Sequence, residues 1–315
     1  MRSGLVESTH EWTAVAVDAD GDILHSWGDV DRPLYYRSAI KSLQATAVLE
    51  AGVDLPPDQL AVASASHSAQ PVHVAAVQEI LAAVRLDESA LRCPPDDPLG
   101  ASARRRHIAR GGGKERILHN CSGKHAAFLA ASVVSGWPPA TYLEADHPLQ
   151  RRVMDLVGEV TGVDPRPIGV DGCGAPTMRG SVRGLALAFA RLSVASRFAC
   201  VREAVMRYPA LTSGNDRPDG RLAMWWGGPA KGGAQGLMVA GRNGVAIATK
   251  SAGGSITVAV AGLIEVASRL GLLPPAALDA LADDHHPVVL GGGRPVGRLE
   301  PDVAKMDPEL DTGRG

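Results

Sequence analysis

Two hairpin signals, set at opposite ends of a helix-rich middle, constrain this chain more than any other feature. Residues 13–18 (TAVAVD) and 22–27 (DILHSW) read as strands joined at Asp20-Gly21, and 235–241 and 244–250 read as strands around Arg242-Asn243-Gly244. Asp-Gly and Asn-Gly favour the positive φ values that tight hairpin turns require. Between the hairpins the apolar spacing is helical. Ile40, Leu43, Ala47 and Ala51 form a stripe over 38–51, and Val77, Leu81 and Val84 form another. Ile256, Val260, Leu263, Val266 and Leu270 do the same over 255–271, and 125–134, 149–160 and 197–207 are further predicted helices. Strands at both ends without regular βαβ alternation predict an α+β fold with a largely antiparallel sheet and an embedded helical lobe. The glycine- and proline-rich stretches at 92–100, 110–114 and 212–220 read as loops, none long enough for a linker. A single domain over 1–315 is therefore expected, with a flexible tail over about 301–315.

Charge and thiols narrow the function classes. A formal net charge of −2 gives no electrostatic footprint for nucleic acid or an anionic membrane. The basic clusters at 104–107 and Arg151-Arg152 are short, lack aromatics and read as solvated faces. No apolar run reaches the roughly 18 residues of a membrane span. The first residues carry His, Glu and Ser where an export signal would be apolar. Four cysteines in a chain of this length then point to reduced thiols and a cytoplasmic protein.

Several segments carry chemistry. In Arg37-Ser38-Ala39-Ile40-Lys41 the serine and lysine lie one helical turn apart. A serine hydroxyl needs a base, and a lysine serves if burial and nearby charge such as Arg37 lower its pKa. Ser64-Ala65-Ser66-His67-Ser68 follows the apolar run 60–63, which reads as a strand ending in exposed hydroxyls. His119-Asn120-Cys121-Ser122-Gly123-Lys124-His125 reads as a polar strand-to-helix turn converging on a ligand. Val170-Asp171-Gly172-Cys173-Gly174 uses two glycines to present Asp171 and Cys173. Cys121 and Cys173 offer two thiolates suited to zinc, with His125 the expected third ligand and Lys124 an unusual one. Cys93 and Cys200 read as packing thiols. Ala230-Lys231-Gly232-Gly233-Ala234-Gln235-Gly236 leads into the late hairpin, where Lys250 sits near the end of an interior strand. Lysine is rarely buried unpaired, so Lys250 reads as a second proton-handling or charge-stabilising group.

Taken together, R-S-A-I-K at 37–41, A-S-H-S at 65–68, H-N-C-S-G-K-H at 119–125, D-G-C-G-A-P at 171–176, K-G-G-A-Q-G at 231–236 and the late Lys250 resemble the asparaginase II family, the serine-dependent asparaginases. The resemblance implies a serine β-lactamase/penicillin-binding-like fold, usually homodimeric, that hydrolyses L-asparagine to L-aspartate and ammonia through an acyl-enzyme. It implies two Ser–Lys tandems, Ser38 with Lys41 and Ser66 with Lys250, with Ser68 an alternative second serine. It implies Arg37, His67, Asp171 and Gly172 around the substrate, Asp171 receiving its α-amino group. It also implies zinc (Zn2+) held by Cys121, Lys124 and Cys173, aiding binding more than chemistry. Three departures bear on substrate choice: Ala69-Gln70 stands where the family commonly has Gly-Glu, Ser251-Ala252-Gly253 is neutral where it tends to be acidic, and Thr212 to Gly220 is unlike the family's usual loop around its H/Y-P-x-L stretch. A different amide as substrate, or a zinc-dependent amino-acid-binding protein without catalysis, are the alternative readings.

Overall fold

Nearly every residue of the first strand is apolar because the sheet it joins is covered on both faces. In the computed structural model, which describes residues 1–302, β1 (Trp12–Asp18), β2 (Ile23–Trp27), β3 (Ala230–Gly233), β4 (Leu237–Arg242) and β5 (Val245–Ser251) form one sheet in the order β2-β1-β5-β4-β3. All neighbours are antiparallel. The early and late hairpins thus meet in the centre of the sheet, Val15 opposite Ala248. Strand β3, the other edge, has no alternating pattern in its Ala-Lys-Gly-Gly sequence and lies outside the expected hairpins.

The helices that build the site are α1 (Lys41–Glu50), α2 (Pro57–Ala63), α3 (Ser122–Val134), α4 (Val182–Val194), α5 (Pro218–Trp226) and α6 (Ile256–Arg269). Alternate strand residues face opposite layers. Val15, Val17, Val239 and Ala248 pack with Leu185 and Phe189 of α4, while Ala14, Ala16, Met238 and Ile247 pack with Leu263 of α6 and Trp226 of α5. A third cluster fills the helical lobe around Leu60 and Val62 of α2, Phe128 of α3, and Val77 and Ile80. The α+β class with an antiparallel sheet and a helical lobe is as expected. The run 60–63 is the end of a helix, however, not a strand: Pro57 at its first turn starts α2 with the fixed φ that suits a helix start. The predicted loop at 212–220 likewise contains the start of α5. Cys200, expected to pack, is exposed.

Helix α1 joins the two parts. Its Leu43 and Ala47 face the sheet cluster, its Ala45 and Val48 the lobe cluster, and residues 41–48 are all buried. The first residue of α1 therefore opens at the junction between the clusters. A second close approach lies nearby, where a Cβ on Gly123 would sit 2.5 Å from the Val62 carbonyl oxygen. Only glycine lets α2 and α3 touch this way, which brings 64–68 alongside 119–125. Among the described residues no single helix is long and apolar enough to cross a membrane. Most of the expected tail, from 303 onward, lies outside the described residues.

Candidate active site

The chain enters the site through a strained residue. Arg37 has φ +49°, a left-handed conformation uncommon for a residue with a Cβ. Its backbone N–H donates to Thr177 Oγ1 at 3.2 Å, and its guanidinium Nε donates to Asp171 Oδ1 at 2.7 Å. These contacts hold the strain and turn the chain into the 3-10 segment Arg37–Ile40. Ser38 is left half-buried, its carbonyl accepting the Lys41 N–H. Among the described residues its hydroxyl has no hydrogen-bond partner.

Lys41 is fully buried, and its ammonium donates to Ala65 O at 2.5 Å, Ser66 Oγ at 3.3 Å and Asn120 O at 3.4 Å. Burial lowers its pKa, and the charge of Lys124 acts in the same direction against an opposing thiol, Cys121. The second amine on Ser66 is that of Lys231 in β3, whose Nζ lies 3.0 Å from Ser66 Oγ and 2.6 Å from the Gly232 carbonyl oxygen. Burial and then the Lys41 charge lower Lys231 to about 7, against the favourable charge of Asp219. Ser66 is fixed by its backbone as well, its N–H donating to Thr212 O at 3.0 Å and its carbonyl accepting from Arg217 Nη1 at 2.8 Å.

The expected pairing of Ser66 with Lys250 is thus corrected to Lys231. Lys250 donates to Gln235 O at 2.7 Å and to the Ser251 carbonyl. Sheet register explains this. Lys231 pairs with Val239, which pairs with Ala248, so Lys250 lies two strands away and two residues further along. That is roughly 10 Å across and 7 Å along the sheet. Strand β3 instead packs against the Arg37–Ile40 segment, where a Cβ on Gly233 would touch Ala39 at 3.2 Å. The lysine of K-G-G-A-Q-G carried the signal, being flanked by small residues suited to an interior position, but no local pattern revealed β3.

His67, expected around the substrate, is tied into the protein on both ring nitrogens. The Ala69 N–H donates to Nδ1 at 3.1 Å, which leaves the proton on Nε2 to donate to Ser122 Oγ at 2.9 Å. Both ring nitrogens are engaged, burial holds the ring neutral, and the group ties the 64–68 loop to α3. Ser68 Oγ is occupied as well, donating to Ser213 O at 2.5 Å.

Next to Asp171, the partner of Arg37, Gly172 is exposed and its N–H donates to Asp171 Oδ1 at 2.7 Å. Burial would raise the Asp171 pKa, but Lys124 and Arg37 outweigh it and hold the carboxyl down. Lys124 Nζ donates to Cys173 Sγ at 3.2 Å, and both groups are buried with Cys121. A hydrogen bond from Cys121 lowers Cys173 to about 5, helped by the Lys124 charge. His125, the expected third ligand, turns away. Tyr142 OH accepts from the Arg92 N–H at 2.9 Å and meets His125 Nδ1 at 2.7 Å, while the buried Nε2 has no partner among the described residues. Among the described residues no group of three or more His, Cys, Asp or Glu is placed to hold a metal.

The start of α1, the 64–68 loop and β3 therefore bring Ser66 Oγ within hydrogen-bonding distance of two buried lysines, Lys41 and Lys231. Two solved structures show a low-level likeness: "Crystal Structure Analysis of Mglu", 14% identical over 83% of this chain and 67% of that chain with a TM-score of 0.45, and "Crystal Structure Analysis of Mglu in its tris and glutamate form", 15% identical over 86% and 62% with a TM-score of 0.46. The chain thus spans about two thirds or less of the length of those chains. No curated protein matches the sequence. The model of the family described as L-asparaginase II matches residues 1–301, which takes in every segment of this centre. The chain belongs to the L-asparaginase II family.

Proposed function

We propose that this member of an asparaginase-type amidohydrolase family hydrolyses the side-chain amide of L-asparagine through an acyl-enzyme on Ser38. The observation that carries the reading is Ser66 Oγ held between two buried lysine amines, 3.3 Å from Lys41 and 3.0 Å from Lys231, with Lys41 three residues after Ser38, whose hydroxyl has no partner among the described residues. Ser38 Oγ attacks the amide carbon, and its proton passes into the chain Lys41–Ser66–Lys231. A lysine near pH 7 in proton affinity accepts it without a large energetic penalty. The same chain returns a proton to the leaving nitrogen, which departs as ammonia, and water then releases L-aspartate from the ester. The charges of Lys41 and Lys231 stabilise the tetrahedral oxyanion in a site shielded from solvent. Arg37 and Asp171, paired at 2.7 Å, form the wall against which the substrate's α-carboxylate and α-amino groups are read.

On this reading the whole chain is one catalytic unit, a cytoplasmic homodimer with a serine β-lactamase/penicillin-binding-like arrangement, supported by the antiparallel sheet, the helical lobe and the serine–lysine turn at α1. Zinc would be held by Cys121 and Cys173, with Lys124 a third ligand only once it gives up the proton it donates to Cys173 Sγ. Two thiols brought together from separate loops, one already inclined to thiolate, are soft donors suited to it. When bound, zinc would help anchor substrate polar groups. The test is ammonia release from L-asparagine and L-glutamine by wild type and Ser38→Ala. Loss of asparagine turnover by about three orders of magnitude or more, with unchanged far-UV circular dichroism, is expected. Near-full activity of Ser38→Ala would refute the mechanism.

A further inference from the structure

Arg217 and Asp219 lie where α5 begins, outside every segment that the sequence pattern marks as chemical. Arg217 donates from Nη1 to the Ser66 carbonyl at 2.8 Å and from Nη2 to Asp219 Oδ2 at 3.1 Å. Asp219 Oδ2 also accepts from Ser213 Oγ at 3.0 Å. The carboxylate is only 1% exposed, and its Oδ1 has no hydrogen-bond partner among the described residues. It lies directly behind the strand that carries Lys231, since a Cβ on Gly232 would meet Asp219 Oδ2 at 2.6 Å. The charged and titratable groups that face Lys231 are Lys41 from α1, Asp219 and Arg217 from the start of α5, and Cys121 from the turn before α3. Lys41 and Cys121 have other tasks in the site.

We propose that Arg217 and Asp219 form a positioning pair, in which Arg217 fixes the main chain of Ser66 and the two opposite charges together set the protonation state of Lys231. The inference rests on the Ser–Lys reading above for its consequence in catalysis, but the electrostatic arrangement exists without substrate. The signs are opposite for the two partners. Removing the Asp219 charge takes away an interaction that favours the ammonium, so Lys231 loses its proton at lower pH. Removing the Arg217 charge takes away a repulsion, so Lys231 keeps its proton to higher pH. A residue that only supported the fold would move neither, or both alike.

The experiment uses the full chain labelled with 13C at the lysine ε-carbon. The Lys231 resonance, assigned by its loss in Lys231→Met, is titrated in wild type, Asp219→Asn, Arg217→Met and Arg217→Lys. The expected midpoint falls in Asp219→Asn and rises in Arg217→Met, each by on the order of one pH unit. Arg217→Lys keeps the charge and stays close to wild type. The acidic limb of kcat/KM for ammonia release from L-asparagine is expected to move in the same directions. Midpoints that stay put, or move the same way in both variants, overturn the proposal. If Asp219→Asn fails to fold, the Arg217→Met and Arg217→Lys comparison decides alone. Opposed midpoint shifts in a protein that turns over no amide would support the electrostatic pair and refute the Ser–Lys reading. Unmoved midpoints in a protein that Lys231→Met inactivates would refute the pair and leave that reading standing.

Discussion

Replacing Lys231 by methionine should make the protein more stable and less active at once. The side chain is 2% exposed, and methionine fills the same stem without a charge. The ordinary lysine value of 10.5 is lowered to about 7, chiefly by burial. At about 1.36 kcal/mol per pH unit, this sets roughly 5 kcal/mol against the charged amine in the folded state below pH 7. A lysine whose folded pKa is depressed adds stability above its unfolded value, and that stability is lost as pH falls from 10.5 through about 7. Methionine escapes the loss but leaves Ser66 Oγ and the Gly232 carbonyl without this donor, at about 1 kcal/mol each. The net gain at pH 6 is about 3 kcal/mol, which for a chain of this length raises Tm by about 5 °C. Thermal unfolding followed by circular dichroism at pH 6 and pH 10 is the assay, with ammonia release from L-asparagine beside it. The Tm advantage should vanish toward pH 10 while turnover falls by about three orders of magnitude at every pH. A variant destabilised at pH 6 by as much as at pH 10 would refute the electrostatic reasoning. Retained turnover would remove Lys231 from the chemistry.

Gly123→Ala places a Cβ 2.5 Å from the Val62 carbonyl, and should cost about 1–3 kcal/mol in urea unfolding as α2 and α3 are forced apart. Ala69 holds φ +52° just after the 64–68 loop, so Ala69→Gly should raise stability by about 0.5 kcal/mol, read by the same method. Cys173→Ser should lower zinc retained after dialysis by 10-fold or more, with KM for L-asparagine rising more than kcat falls. Equal zinc content in both proteins would argue against the thiol site.

The hairpins were legible because their turn chemistry is local: Gly21, φ +103°, and Asn243-Gly244, φ +51° and +82°, adopt the conformations that the dipeptides favour. The stripe on α1 was legible too, although burial on both sides hid that it joins two clusters. Lys231 was not, because a strand of Ala, Lys, Gly and Gly has no alternation and exists only through pairing with β4. Four apolar residues at 60–63 fit either a strand or a buried helix end, and the deciding residue, Pro57, stands outside the run. The thiols and Lys124 were found as a set, but the orientation of His125 depends on Tyr142, 17 positions away. Arg217 and Asp219 sit in a stretch whose Gly, Asn, Asp and Pro content spoke only of a turn.

Strand β3 closes one side of the sheet, and its outer row of amide groups is of the kind through which β proteins adhere to one another. The usual guards, a bulky charged side chain turned outward or a proline, are absent from Ala-Lys-Gly-Gly, since its lysine is committed inward to Ser66. Helix α5 packs on this side of the sheet, with Asp219 against Gly232 of β3 and Trp226 Nε1 donating to the Gly241 carbonyl of β4 at 2.9 Å. The helix that carries charge to the reaction centre thus also shelters a sticky border. Partial melting of α5 would bare that border and release the main chain of Ser66 from Arg217 in a single event, so on the proposed mechanism loss of turnover and onset of clumping share one threshold.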